Sequence, residues 1–202
     1  MESIEIQHAK KEHADVISQL IYSTEADPEM IWGWGSKKEI LRRLKKLVKR
    51  TDTRYSYKYA KVAMQDGKIC GAMIALPHHK LGSLDSETEK IIFELQPGIW
   101  TKLRRLFVAF KEMNLEESKS GEYYIANVAT FTWARGKGIA TKLMLDAEKK
   151  AKDFGLSKCS LLVDKEKPSV IQLYSGLGYK IEGQETREDQ KYYRMIKTIK
   201  AA

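Results

Sequence analysis

The chain has 202 residues, of which 43% are hydrophobic and 31% charged, a balance that excludes a disordered polypeptide. Its length suits one large domain over residues 1–202, long enough to bury about 70% of the surface that the unfolded chain exposes. The formal charge of +9 favours an anionic ligand, but the clusters at Arg42, Arg43, Lys45 and Lys46 and at Lys102, Arg104 and Arg105 read as solvated helix faces; with no DNA or RNA motif beside them, no nucleic-acid partner is expected.

Along the chain, Met1-Glu2-Ser3-Ile4 brings no basic segment followed by an apolar one, and no window approaches the length of a membrane span; a cytoplasmic protein with no membrane contact is expected. Residues 4–8 alternate like a short strand, after which Ala14, Val16, Ile17, Leu20 and Ile21 recur at helical spacing. A loop through Glu25, Asp27 and Pro28 passes Trp32 and Trp34 to reach Ser36, which with Glu39 forms a capping box opening a helix over about 37–50. Residues 57–64 and 69–76 form a predicted hairpin, with Asp66-Gly67 supplying the positive φ values of a tight turn. From 78 to about 120 the sequence is more polar and carries two helical patterns, one opened by Ser86 and Glu89, the other over 99–113; the stretch reads as a helical insertion.

Residues 122–131 are strand-like, 139–154 form an amphipathic helix that Gly155 caps, and 159–163 return as a strand. Pro168 opens a further helix that Gly178 ends, and strands follow near 179–183 and 192–199. Strand, helix and strand across 122–163 make a crossover unit, whose two strands must be parallel. The order predicts an α/β (mixed α+β) fold. Cys70 and Cys159 each lie in apolar runs without metal-ligand spacing, so neither a metal site nor a disulfide is expected.

The most informative stretch runs from Trp133 through Arg135-Gly136-Lys137-Gly138-Ile139 to Met144, where a strand breaks into a glycine turn that opens a helix. Bare amides at a helix start carry roughly +0.5 of an elementary charge, and glycines let a phosphate approach them. A phosphate-bearing ligand is therefore expected. No glycine stands at the Walker spacing before Gly138, and the three-glycine dinucleotide fingerprint is missing too.

Ile125-Ala126-Asn127-Val128-Ala129-Thr130, followed by Arg135-Gly136-Lys137-Gly138-Ile139-Ala140-Thr141, resembles the acyl-CoA motif of the GNAT N-acetyltransferase superfamily. Leu173-Tyr174 and Leu177-Gly178-Tyr179 resemble that superfamily's later helix and signature, and the likeness covers nearly everything except about 78–120. It implies a central, mostly antiparallel twisted sheet of about six to seven strands flanked by helices. It also implies acetyl-CoA as acyl donor, with the acetyl group passing to a primary amine by direct attack. Val128 and Thr130 are then expected to pair through their backbone with the pantetheine arm, as with an added strand. The amides from about Arg135 through Gly136, Lys137, Gly138, Ile139 and Ala140 to Thr141 are expected to hold the pyrophosphate. The side chains of Arg135 and Lys137 either add charge there or face solvent. Tyr174 is implied as the acid that returns a proton to the departing thiolate, which a phenol of pKa about 10 can do. Two positions depart from the pattern: Trp133 replaces a glutamine or arginine, and Lys167 replaces an asparagine that contacts the cofactor in many relatives.

The need for a base depends on the acceptor, since deprotonating a lysine-like amine at pH 7 costs roughly 5 kcal/mol and a protein α-amine only about 1 kcal/mol. Candidates are Glu122, Glu25, Asp27, His78 and His79, all weak, since each reads first as a surface residue. Leu162 stands where relatives that acetylate protein N-termini carry a glutamate, which favours a small-molecule amine. Tyr22, Trp32 and Trp34 are either core or walls of the acceptor side. The amphipathic, basic helix of the insertion is expected to be a lid or a packing helix, with a homodimer contact or a lipid-facing helix as the alternatives. A non-catalytic acyl-CoA sensor or scaffold is the alternative.

Overall fold

A computed structural model of the chain describes residues 3–96, 98–112, 116–187 and 190–199. Its strands are β1 (Glu5–His8), β2 (Ala60–Gln65), β3 (Lys68–Pro77), β4 (Glu122–Thr130), β5 (Lys158–Asp164), β6 (Lys180–Arg187) and β7 (Gln190–Thr198). They make one sheet in the order β1-β2-β3-β4-β5-β7-β6. Among the described residues only β4 and β5 pair in parallel. The mixed, mostly antiparallel architecture is the one the sequence predicts, with its single parallel pair at the crossover.

Alternation along β2 and β3 builds two cores. Val62, Ala72, Ile74 and Leu76 face α1 (Ala14–Tyr22) and α3 (Lys37–Lys49), while Ala63, Met73 and Ala75 face α6 (Ile139–Asp153) and α7 (Pro168–Gly176). The β2–β3 turn takes positive φ at Asp66 (51°) and Gly67 (71°), as its sequence requires. Ser36 and Glu39 close the capping box that starts α3. Arg43 departs from the solvated-face reading: it is buried, and its guanidinium donates to the carbonyls of Trp32, Gly33 and Trp34 at 2.5–2.8 Å. One cation thereby satisfies three carbonyls of a sharply turning loop.

Other departures are local. Residues 57–59 form a 3-10 turn before β2, and a short α2 (Pro28–Trp32), capped by Asp27, occupies part of the expected loop. Helix α4 (Leu81–Glu94) starts ahead of the expected capping box, because the turn His78–Lys80 after Pro77 leads straight into it; Ser86 lies in its interior. Helix α5 (Gly98–Glu112) covers the second helical pattern as far as residue 112; residue 113 lies outside the described residues. Ile99, Trp100, Leu103, Leu106 and Phe107 point outward, with Trp100 81% exposed. Both cysteines are buried and free. Among the described residues no helix is long and apolar enough to cross a membrane.

Candidate active site

Strands β4 and β5 are paired only at their starts, Glu122, Tyr123 and Tyr124 against Lys158, Cys159 and Ser160. Beyond Tyr124 they diverge, and a cleft of 420 Å³ opens between residues 125–130 and 161–164. A bulge accompanies the divergence: Ile74 pairs with Asn127 and Ala75 with Ile125, which leaves Ala126 without a partner on β3. The backbone on the cleft side follows from the register. The amide of Phe131 donates to the Cys70 carbonyl at 3.0 Å, so Ala129 and Asn127, at every second position, also turn their amides to β3. Val128 and Thr130 alternate with them and present amide and carbonyl to the cleft, an open strand edge that an extended ligand can join.

At the far end of this edge lies the glycine turn. Gly136 and Gly138 adopt φ of 76° and 74°, and a Cβ on either would meet nothing within 4 Å, so the turn is left-handed and open to solvent. Gly138 caps α6 with no side chain competing for its amides. The Arg135 amide is used internally, on the Thr132 carbonyl at 3.3 Å. The outward donors therefore begin at Gly136, and those of Ile139, Ala140 and Thr141 belong to a first turn that has no intrahelical acceptors. The Arg135 side chain lines the cleft together with Ala140. Lys137 instead reaches Gln65 Oε1 at 3.1 Å and lies 5.7 Å from the Trp133 ring.

On the opposite wall, Pro168 starts α7 and Tyr174 projects from it into the cleft, only 8% exposed and 6.2 Å from the Tyr179 ring. Burial alone pushes its phenol up to about 12. Glu25, in the loop after α1, lines both this cleft and a smaller cavity of 80 Å³ behind Asn127 and Leu162. Thr24 fixes that loop: its hydroxyl accepts from Asn127 Nδ2 at 3.0 Å and lies 3.3 Å from Glu25 Oε1.

The small cavity has an ionic wall. Glu117 receives Arg54 at 2.5 Å and Arg187 at 2.8 Å, and Arg54 also meets Asp85 at 3.1 Å. Burial would push the Glu117 carboxyl up, but the two guanidiniums hold it below the usual carboxylate range. Thr88, Glu89 and Ile92 of α4 line the same cavity, so the insertion does reach the site.

The sequence model of the Acetyltransferase (GNAT) family matches residues 20–179. This chain belongs to the GNAT acetyltransferase family. An N-acetyltransferase from Staphylococcus aureus Mu50 superimposes with a TM-score of 0.76 at 26% identity, covering 96% of this chain and 100% of that one. A second acetyltransferase gives 0.69 at 26% identity, with 97% and 100% covered. The PaiA N-acetyltransferase of Thermoplasma acidophilum, solved in complex with coenzyme A, shares the fold at a TM-score of 0.56 and 15% identity, with 97% and 99% covered. A search of curated protein sequences found no match.

Within this GNAT cleft, the candidate bases separate cleanly. Glu122 is buried and receives Arg194 and the Lys119 amide, which together hold its carboxyl below the usual range although burial pushes the other way. It serves the start of β4. Asp27 accepts the Met30 amide at 3.3 Å as the cap of α2. His78 and His79 sit in the turn after β3 and line neither cavity. Of the five, Glu25 alone lines the cleft. Tyr22 and Trp34 are not among the lining residues of either cavity, and Trp32 is fully buried between Tyr22 and Tyr55 at 6.2 and 5.9 Å. The cluster of Arg54, Glu117 and Arg187 escaped the sequence reading, because its members stand 63 and 70 positions apart and no local spacing joins them.

Proposed function

We propose that this chain, as a single acetyltransferase domain over residues 1–202, is an acetyl-CoA-dependent N-acetyltransferase whose acceptor is a small primary amine. The carrying observation is the continuous path from the open edge of Val128 and Thr130 to the glycine turn, with Tyr174 and Glu25 on the same cleft. In this reading the amides of residues 136–141 take the pyrophosphate, Arg135 adds charge, and the pantetheine arm pairs with Val128 and Thr130.

The amine nitrogen attacks the thioester carbonyl and forms a tetrahedral intermediate, whose oxyanion a strand amide near Val128 stabilises. Glu25 takes the proton that the nitrogen sheds. The C–S bond then breaks, its electron pair leaves on sulfur, and the Tyr174 hydroxyl supplies the proton that completes the thiol. Burial keeps that phenol protonated at neutral pH, which suits an acid. The small cavity lined by Glu25 and Glu89 supports a slender cationic acceptor, since the Glu117 charge is already balanced by arginines. Leu162 on the same wall adds an apolar contact and no carboxylate. Two free, buried cysteines are in keeping with a reducing cytoplasm.

The test follows thiol release from acetyl-CoA against polyamines, amino acids, aminoglycosides and peptides. Amine-dependent release with a small amine, exceeding that with any peptide, is expected. Binding of acetyl-CoA without release on any amine would instead identify a sensor, and no binding at all would end the donor assignment.

A further inference from the structure

We infer that the α6 side of the sheet carries a second small-molecule site, a cavity of 530 Å³ that takes a small aromatic anion. It shares no lining residue with the donor cleft or the small ionic cavity. It opens where β1 ends at His8, β2 begins at Ala60 and α6 closes at Lys150 and Phe154. Along α6 its lining begins at Asp146, about 12 Å up the helix from Gly138.

Its chemistry has two halves. The floor is apolar, with Met73, Ala75 and Pro77 of β3 all buried, and rings form the walls: Tyr59, Tyr123 and Phe154. Tyr123 and Phe154 stack at 5.9 Å with planes 25° apart, and the Tyr123 hydroxyl is already bonded to the Ala75 carbonyl at 3.1 Å, so what that residue offers a ligand is ring surface. Around these rings stand Lys58, Lys61, Lys80 and Lys150, against Asp146 as the one lining carboxylate. Asp146 meets Lys61 at 3.4 Å and Asp153, just outside the lining, meets Lys150 at 3.5 Å, so the lining keeps a positive excess carried mainly by Lys58 and Lys80. Lys80 lies over the Tyr59 ring at 5.5 Å and Lys150 over the Phe154 ring at 5.2 Å, so cation and ring stand side by side in the cavity.

A cavity in the size range of about 300–1,000 Å³ with apolar walls and a few convergent polar groups is what a small ligand requires. Here the rings recognise a planar aromatic group and the lysines an anionic substituent on it. Burial, and then Lys61 and Lys150, press the His8 imidazole below the usual value, while Asp146 opposes them. Nucleoside monophosphates and aryl carboxylates share this chemistry.

Calorimetry with adenosine monophosphate and with 4-hydroxybenzoate separates these two sources; ribose 5-phosphate and adenosine are the ring-free and uncharged counterparts of the first, acetate and phenol those of the second. One of the two aryl anions is expected to bind with Kd below about 1 mM, and its ring-free or uncharged counterpart about tenfold more weakly or worse. Lys150→Glu and Lys80→Glu, on separate elements so that one can fail to fold without ending the test, should each weaken that binding about tenfold. Gly138→Asp, in the donor cleft, should leave it unchanged, and ligand should raise the His8 pKa in an NMR titration. Absence of binding by both aryl anions, equal binding of the ring-free probe, indifference to both charge reversals, or loss of binding in Gly138→Asp would each overturn the site.

Discussion

Lys167 and Thr24 meet across the mouth of the cleft: the Lys167 ammonium, at the residue preceding α7, donates to the Thr24 carbonyl at 2.8 Å. The asparagine expected to contact the cofactor is replaced by a longer cation that joins two walls. Because Thr24 precedes Glu25, the bond ties the helix bearing Tyr174 to the loop bearing the proposed base. Asn127 adds a second tie to the same threonine.

Lys167→Ala should therefore loosen the acceptor side more than the donor side. We expect KM for the amine to rise about three- to tenfold and KM for acetyl-CoA to move less than about twofold, with stability changed by about 1 kcal/mol or less, the worth of one hydrogen bond. Steady-state kinetics with each substrate varied in turn is the measurement. Equal rises in both constants would show that Lys167 serves the donor as well.

Glu25→Gln keeps the loop geometry and removes the base. For an amine of high pKa, kcat should fall about 10²-fold with KM changed far less. An acceptor whose amine is largely neutral at the assay pH should lose much less, since it has little need of a base. An equal loss for both kinds of amine would assign Glu25 to binding.

How far the sequence carried this reading depends on the range over which each signal acts. The turn from Arg135 to Gly138, the cap at Gly155 and the Asp66-Gly67 turn were legible because each is local: the residue type and the backbone angle it permits sit at the same position. The strand at β3 and the parallel pairing of β4 with β5 followed from composition and crossover rules. Glu25 could be named as a candidate but not chosen, because its rivals Glu122 and Asp27 were disqualified by Arg194 and by the Met30 amide, contacts that only the fold creates. Arg43 reads as an ordinary surface cation for the same reason, and nothing in the sequence singles out Arg54. Their burial depends on carbonyls and carboxylates brought in from elsewhere in the chain.

Gly138→Asp places a carboxylate at the open helix start and an L side chain at φ 74°. Acetyl-CoA binding should weaken by about tenfold or more, through repulsion of the pyrophosphate. Gly138→Ala isolates the backbone part: its Cβ would touch nothing, so only the left-handed conformation is penalised, by about 1 kcal/mol. If alanine weakens binding as much as aspartate, geometry rather than charge governs the turn.

Tyr174→Phe should lower kcat about 10²-fold and leave the KM for acetyl-CoA nearly unchanged. The pH profile sharpens the test. With its phenol pushed up to about 12 by burial, Tyr174 stays protonated throughout the usual assay range, so its ionisation should cause no alkaline fall in rate. Stability carries the matching sign: the raised pKa contributes fully below the unfolded value of about 10, and the contribution fades as pH rises toward the folded value. Denaturant titrations above pH 10 should show wild type losing stability relative to the phenylalanine variant.

The ionic wall beside the cleft gives a prediction about the fold. Glu117 holds Arg54 and Arg187, and Arg54 is largely enclosed, with 15% of its side chain exposed. Glu117→Gln removes the charge but keeps the volume, leaving two guanidiniums in a confined space. Such a loss costs about 3 kcal/mol at neutral pH, since Arg54 keeps Asp85 but the carboxylate that lay between the two guanidiniums is gone. The folded pKa of Glu117 is lowered, so its stabilisation is present above the ordinary carboxylate range and disappears as pH falls through the folded value. Urea denaturation of wild type and variant from pH 7 to pH 3 should therefore show a gap that is widest at neutral pH and narrows in acid. The buried pair of Arg194 and Glu122 also responds to acid, but it is common to both proteins and cancels in the difference. A gap that stays constant over the whole range would mean that the glutamate is held by its shape and not by its charge.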